Sequence, residues 1–375
     1  MTSGRLALLL IALLAMANAA GAAGISGHYR NLVLQTTDSR GLATLTDLNR
    51  LRLSLAGSKG GLAWEVAYDN EWLTGGLLRD PAYRAVLLAP APTYADLEAN
   101  VHTGPSDLWR SRLYRGWVRY STGAWQLTAG RQRLAWGSGR VWNPTDRFNP
   151  VLPTAIEPDQ KLGVDAVSGT WRYSAFGSWQ AVIAPGRTSR GVARKTALRW
   201  RDTVGTTDVA LMAGDMGVER LAGLDVTGNL GEGAYRIEAV FSHPDRGHNY
   251  AQVVAGYDYT VVNAWFPRGL YLGAEYFYDG LRAPLLPRLY NDRWVARTAS
   301  QFALLAGYDI ADLWRLDLAL LVDPIHQGLF AMPQLTWSLS DNVTLLAMAQ
   351  WSHSRVGGEY AGLPAVYVLR LDWYW

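Results

Sequence analysis

The chain has 375 residues, a formal net charge of +3 and no cysteine. Near-balanced charge leaves no electrostatic footprint for nucleic acid, and the lack of thiols excludes disulfides, thiolate metal sites and Cys-x-x-Cys-His haem attachment within the chain. Mean hydropathy is −0.04, and no apolar run of about 18 residues follows the leader. A helical membrane protein is therefore excluded, but a barrel is not, because its lipid-facing and lumen-facing residues alternate and average out.

Residues 1–23 read as a secretory signal peptide. Arg5 precedes an apolar run from Leu6 to Ala15, and Ala17-Asn18-Ala19 and the alanines up to Ala23 offer small-residue cleavage sites. Cleavage near residues 19–23 leaves 24–375 as one domain, with no linker or composition shift inside it.

From residue 25 onward, strand-like segments alternate with period two, so each has one apolar and one polar face. Leu51, Leu53 and Leu55 alternate with Arg50, Arg52 and Ser54, and Leu62, Trp64, Val66 and Tyr68 alternate with Glu65 and Asp69. The pattern recurs in Tyr235–Phe241, Val253–Tyr259, Leu270–Tyr278, Leu316–Leu320 and Val343–Trp351. Short polar or glycine-rich turns, such as Ser58-Lys59-Gly60 and Ser121-Thr122-Gly123, alternate with longer connections, such as 73–107, 135–160 and 280–297. Alternating short turns and long loops predicts an all-β fold: a transmembrane antiparallel up-and-down β-barrel of about 18 strands, within a range of roughly 16–20. The patterning is weakest over 161–173 and 205–229. Seventeen tryptophans and 19 tyrosines against seven phenylalanines suit a membrane interface, where a ring with a polar edge sits at the headgroups.

One internal stretch stands apart. Residues 130–150 contain Gly137 and Gly139, two Asn-Pro pairs, two tryptophans and Arg131, Arg133, Arg140 and Arg147. By parity the connection 135–160 lies on the long-loop side, and it is expected to fold into the lumen as a constriction, its arginines facing inner-wall carboxylates. Arg115 and Arg119 on one strand, and Glu65 and Asp69 on another, are assigned to the lumen wall. The remaining inward charges are mixed in sign, so no single-sign filter ring is expected, and the arginine loop gives a mild bias towards anions. His243, His248 and Asp245 share a loop but match no metal-ligand spacing, and Ser352 and His353 point to opposite faces of a strand. Neither metal, cofactor nor catalytic residue is expected.

The last strand carries Tyr367, Leu369, Leu371, Trp373 and Trp375 on one face and Arg370 and Asp372 on the other. It resembles the terminal assembly signal of Gram-negative outer-membrane barrels, with tryptophan where phenylalanine is usual. Residues 130–165, with Gly-Arg-Gln, Trp-Gly, Asn-Pro-x-Asp, Phe-Asn-Pro and then Val164-Asp165, resemble a stretch of porin-like barrels related to alginate-export-like channels and to barrels that sheath multihaem cytochromes. The resemblance implies a non-catalytic outer-membrane channel for passive passage of small hydrophilic solutes. Its rivals are a sleeve in a cytochrome electron conduit and a polysaccharide export channel. The implied partners are outer-membrane lipid, the barrel-assembly machinery, and either further copies of the chain or a cytochrome, with no nucleic acid.

Overall fold

The computed structural model describes residues 23–89, 91, 93–188, 191–282 and 295–375. The leader lies outside the described residues, as does most of the 280–297 connection. Strands β1 (Ala23–Thr37), β2 (Ala43–Lys59) and β3 (Leu62–Gly75) open the wall. A 3-10 turn (Gly76–Arg79), a short helix α1 (Pro81–Leu87) and strand β4 (Glu98–Thr103) occupy the next connection. Then come β5 (Asp107–Thr122), β6 (Trp125–Gln132), β7 (Val164–Arg172), β8 (Ser178–Thr188), β9 (Gly191–Val204) and β10 (Thr207–Asp215). The wall continues through β11 (Glu219–Leu230), β12 (Gly233–Pro244), β13 (Tyr250–Val261), β14 (Leu270–Asp279), β15 (Ser300–Ala311) and β16 (Trp314–Asp323), and ends in β17 (Gly328–Ser340), β18 (Val343–His353) and β19 (Val366–Tyr374).

Every pairing is antiparallel between chain neighbours, apart from the two that matter most. β1 pairs with β19, from His28↔Tyr374 to Thr36↔Val366, and this closes the sheet. β3 pairs directly with β5, from Leu62↔Tyr120 to Thr74↔Asp107, and bypasses β4. The result is a closed barrel of 18 strands plus one accessory strand. Closure leaves no unpaired edge, which is the condition for a sheet to cross a bilayer.

The turns at one end follow from glycine. In β2–β3 and β5–β6 the loops hold only two residues, and Gly60 and Gly123 take φ of 59° and 53°. Two-residue hairpins need positive φ at their first central residue to match the strand twist, and glycine adopts it without a Cβ clash.

The outer face is apolar. Leu127, Leu211, Phe241, Leu304 and Leu369 are among the exposed residues, as are Tyr367, Trp373 and Trp375 of the closing strand. Aromatic pairs mark both borders: Trp125–Trp171 and Trp314–Trp337 stack near the short turns, and Trp72–Trp109 and Trp351–Tyr367 meet near the long loops. A surface of this kind is matched by hydrocarbon with headgroups at each border. Inside, three apolar clusters line different sectors. One joins Leu32, Leu48 and Val368 to Leu77 and Leu78 of the 3-10 turn. The second joins Val182, Met212 and Val240 to Leu134, Trp136 and Phe148. The third joins Val254, Phe277 and Phe330 to Trp142.

Candidate functional site: a loop latched across the lumen

The site begins with two short strands. β6 has 8 residues and β7 has 9, against 17 in β2 and 16 in β5. The chain therefore leaves the wall at Gln132 and rejoins it at Val164 part-way up, inside the barrel rather than at its rim. The gap above them is filled by residues 93–103. β4 takes the edge of β5 that β6 leaves free, from Glu98↔Arg112 to Thr103↔Leu108, and Thr93 bridges Gly186 on β8. Arg131 rivets the seam. Its Nε meets Asp165 Oδ1 at 2.8 Å, and its Nη1 and Nη2 donate to the carbonyls of Leu113 (3.0 Å) and Ala95 (2.7 Å). The Ala95 N–H in turn donates to Asp165 Oδ2 at 2.8 Å.

Residues 133–163 then cross the lumen and touch two oppositely charged sectors. The first half lies against carboxylates on β11–β14. Glu238 Oε1 accepts the N–H groups of Ser138 (2.7 Å) and Gly139 (2.6 Å), and its Oε2 accepts the N–H (3.1 Å) and hydroxyl (2.6 Å) of Thr145. Glu275 accepts the N–H groups of Arg140 (2.8 Å), Val141 (3.1 Å) and Trp142 (2.8 Å). Runs of backbone donors curled around a carboxylate form a nest for negative charge. The curl depends on Gly137 (φ 86°), where a Cβ would overlap the side chains of Asn143 and Thr145. Trp142 stacks on Phe277 with ring centroids 5.4 Å apart. Buried Arg147 pairs with buried Glu219, and Arg140 reaches Asp258 at 3.7 Å.

The second half of the loop lies against guanidinium groups on β1, β2 and β5. Glu157 accepts from Arg30 Nη1 (2.8 Å) and Arg50 Nη1 (2.7 Å), and Asp159 accepts from Arg30 Nη2 (2.9 Å). Arg52 Nη2 donates to Gln160 Oε1 at 2.8 Å, and Arg115 Nη2 donates to the Lys161 carbonyl at 2.5 Å. The Tyr114 ring lies between the guanidiniums of Arg52 and Arg115, 3.3 and 4.1 Å from its centroid. This sector holds more guanidiniums than its own carboxylates match: Glu71 alone serves Arg50, Arg110 and Arg112. The loop supplies the missing negative charge. Burial by itself would raise the Glu157 carboxyl, but the charges and hydrogen bonds of Arg50 and Arg30 overcome it and hold the group below the usual range. Asp146, buried under the loop, goes the other way: its burial outweighs Lys161 Nζ at 3.1 Å, and the carboxyl sits above the usual range.

Between the loop and the short turns lies a polar pocket of about 390 Å³, lined by Arg133, Arg172, Arg199 and Arg201 with Gln126 and Gln180. Arg199 has Asp225 at 3.6 Å. Among the described residues no carboxylate lies within ion-pair distance of Arg133, Arg172 or Arg201.

The loop arginines thus have four different settings. Arg147 pairs with Glu219, and Arg140 reaches Asp258. Arg131 belongs to the wall seam, and Arg133 opens into the pocket. On the wall, Arg119 bonds Thr128 Oγ1 at 3.1 Å and lies over Trp117, whose indole donates to Glu65 at 3.0 Å. Asp69 is held by Arg52 at 2.6 Å. His243 Nδ1 lies 2.6 Å from Asn249 Oδ1. The sequence reading missed Arg30, Glu71 and the loop's acidic end, Glu157 and Asp159. The Glu157-Pro158-Asp159 triplet was the available signal, since carboxylates in a loop beside an arginine-rich wall have an obvious counterpart.

No family model matches the chain, and no curated protein matches it. Solved structures do. It superposes on Acinetobacter baumannii OccAB4 with a TM-score of 0.61 at 10% identity, over 96% of this chain and 99% of that one. For Pseudomonas aeruginosa OccK9 (OpdG) the TM-score is 0.62 at 11% identity, over 94% and 98%. For P. aeruginosa OpdK with vanillate it is 0.58 at 8% identity, over 94% and 98%. The fold is that of these structures: a closed, antiparallel barrel of 18 strands.

Proposed function

We propose that this chain is an outer-membrane channel for passive passage of small hydrophilic solutes, narrowed by residues 133–163. The loop's attachment to two opposed walls carries the reading. A segment that bonds Glu238 and Glu275 on one side and Arg30 and Arg50 on the other leaves room for small molecules rather than for a folded partner. The same feature weighs against a cytochrome sleeve and against polysaccharide export, both of which need a wide bore. We propose an anion bias as well, because Arg133, Arg172 and Arg201 present unneutralised guanidiniums to the pocket below the loop. Vanillate, the ligand named with one structural neighbour, is an anion at neutral pH and is in keeping with that bias.

Conductance of the purified barrel in a planar bilayer tests both parts. Small, steady channels with a reversal potential favouring anions are expected. The triple variant Arg133→Ala/Arg172→Ala/Arg201→Ala should move selectivity towards cations, more at low than at high salt because exposed charges are screened. A barrel that inserts but passes no current would overturn the channel. An unshifted reversal potential in the triple variant would overturn the role of the pocket.

A further inference from the structure

The wall is held most loosely above β6 and β7. β5 pairs with β6 only from Gly116 to Thr122, and β8 pairs with β7 only from Ser178 to Ile183. Beyond those points residues 93–103 run as a strap between β5 and β8. On the β5 side the strap is laddered, from Glu98↔Arg112 to Thr103↔Leu108. On the β8 side its one pairing among the described residues is Thr93↔Gly186. Strands of the opposite wall are laddered over most of their length, as in β13–β14 from Gln252↔Asp279 to Val261↔Leu270. The sequence of β8 suits an edge at this height. Pro185 has no N–H, and proline in a sheet is confined to edges, strand starts and bulges. Ala184 and Gly186 on either side of it are small and buried.

This stretch lies at the level of hydrocarbon. Trp179 pairs with Trp171 at the short-turn border, and Gly186 follows it by seven residues on β8. At about 3.3 Å per residue that is roughly 23 Å along the strand. A tilt of about 40° brings the height to about 18 Å, inside an apolar band about 25 Å tall and on its long-loop half. Tyr94 and Val101 of the strap and Ile183 of β8 are exposed beside it. No water there can take up the backbone groups that a full ladder would pair, so wall-building alone does not account for a single bridge. The inner side of the seam has two unlike cheeks. On the β8 side Val182 and Ala184 pack with Leu134, Trp136 and Ala197. On the β5 side a cavity of about 10 Å³ is lined by Thr93, Leu97, Glu98, Arg112 and Arg131. Arg112 Nε is buried without a hydrogen-bond partner among the described residues, with Asp69 3.8 Å away.

From this we infer that the strap is a lateral gate, which parts from β8 to let small amphipathic molecules pass between the lumen above the loop and the outer leaflet. The ligand class is an apolar tail on a polar head. The head accepts from Arg112 on the polar cheek, and the tail follows Val182 and Ala184 out between the strap and β8. The other attachments keep the strap on the barrel when the bridge opens. These are the β4–β5 ladder, the Leu113 N–H donating to the Leu97 carbonyl at 2.9 Å, and the hold of Arg131 and Asp165 on Ala95. The route leaves through the wall on the long-loop side of residues 133–163, so it does not depend on solute passage through the pocket below them.

The chain's lack of cysteine allows the gate to be stapled. Thr93→Cys/Gly186→Cys puts thiols on bridge partners, and the Cα separation of about 4.5–5.5 Å in an antiparallel pair suits a disulfide. Cells that make the barrel should take up dansylundecanoate, a dye that brightens in hydrocarbon, several-fold faster than cells that lack it. Oxidising the double variant should bring uptake down to the rate of cells without the barrel, and a reductant should restore it. Each single-cysteine variant should ignore the oxidant. Ion conductance of the purified barrel in a planar bilayer should be the same stapled and reduced. A barrel that carried no current but took up dye in a staple-dependent way would refute the pore and leave the gate standing. Dye uptake no faster with the barrel than without it, or unchanged by a formed staple, would overturn the gate. A staple that lowered conductance and dye uptake together would assign the dye to the central lumen and overturn it too. Thiols that form no disulfide in a barrel of heat-modifiable mobility would show that Thr93 and Gly186 do not meet, with the same consequence.

Discussion

The two walls that hold the loop do so by different chemistry. The β11–β14 wall uses side-chain carboxylates to bind backbone N–H groups, seven contacts between Glu238 and Glu275 counting the Thr145 hydroxyl. The β1–β2–β5 wall uses guanidiniums to bind side-chain carboxylates, chiefly Glu157 and Asp159. The first attachment depends mainly on backbone shape, with the Thr145 hydroxyl, the Arg147–Glu219 pair and the Trp142–Phe277 stack beside it. The second depends on charge and can be altered one residue at a time. A loop fixed rigidly on one side and electrostatically on the other has a hinge side and a latch side.

Breaking the hinge side should have the largest effect. Glu238→Ala with Glu275→Ala removes the acceptors of six N–H groups, those of Trp142 and Thr145 buried, and of one hydroxyl. Each donor left unpaired costs about 1–3 kcal/mol, though water entering the lumen will recover part of it. Single-channel conductance should rise several-fold and become noisy. Conductance equal to that of the parent would show that the loop does not narrow the path.

The next effect comes from shape alone. Gly137→Ala keeps every acceptor but puts a Cβ where Asn143 and Thr145 already pack, at a φ of 86° that suits glycine. A non-glycine residue held in such a conformation costs roughly 1–2 kcal/mol before any clash is counted. The loop's first half should loosen, with faster proteolysis after residue 137 and a smaller rise in conductance than the double variant gives. Unchanged proteolysis would mean that the nest does not depend on this turn.

The same contrast explains what could be read from the sequence. Strand parity exposed the inward charges of both walls, including Arg50, Arg52, Glu238 and Glu275, because a period of two assigns each residue to a face. The loop's length and its Trp and Asn-Pro content marked it as structured. The hinge side was hidden because its donors are backbone N–H groups, and these carry no residue signature. The filling of the gap above β6 and β7 by residues 93–103 was hidden too. β4 lies inside a connection with little alternation, and its pairing with Leu108–Arg112 of β5 joins segments whose match is settled by tertiary packing. Arg131 was grouped with the loop arginines although it lies on β6, because its Gly-Arg-Gln run leads straight into the loop.

The latch side gives the smallest effect and the sharpest sign. Glu157 is held below its ordinary range by Arg50 and Arg30 against the pull of burial, so its contribution to closure is fully present above the unfolded value of about 4.3 and is lost as pH falls through the depressed one. Asp159, lowered by Arg30 against its own burial, follows the same course. Asp146 runs oppositely: its raised carboxyl is easier to keep in place when protonated, so acid does not weaken the packing of that group as a buried charge, although it loses its pairing with Lys161. Acidification from neutral pH should therefore release the latch once the pH falls below the ordinary carboxylate range, as one part of a reversible rise in conductance to which protonation of Glu238 and Glu275 also contributes. Glu157→Gln/Asp159→Asn should show part of the raised conductance already at neutral pH and a smaller further rise on acidification than the parent. High salt should reproduce part of the rise in the parent, because lumen water screens these pairs. An acid response of full size in the double variant would place the titrating groups elsewhere and leave the arginine wall without a latching role.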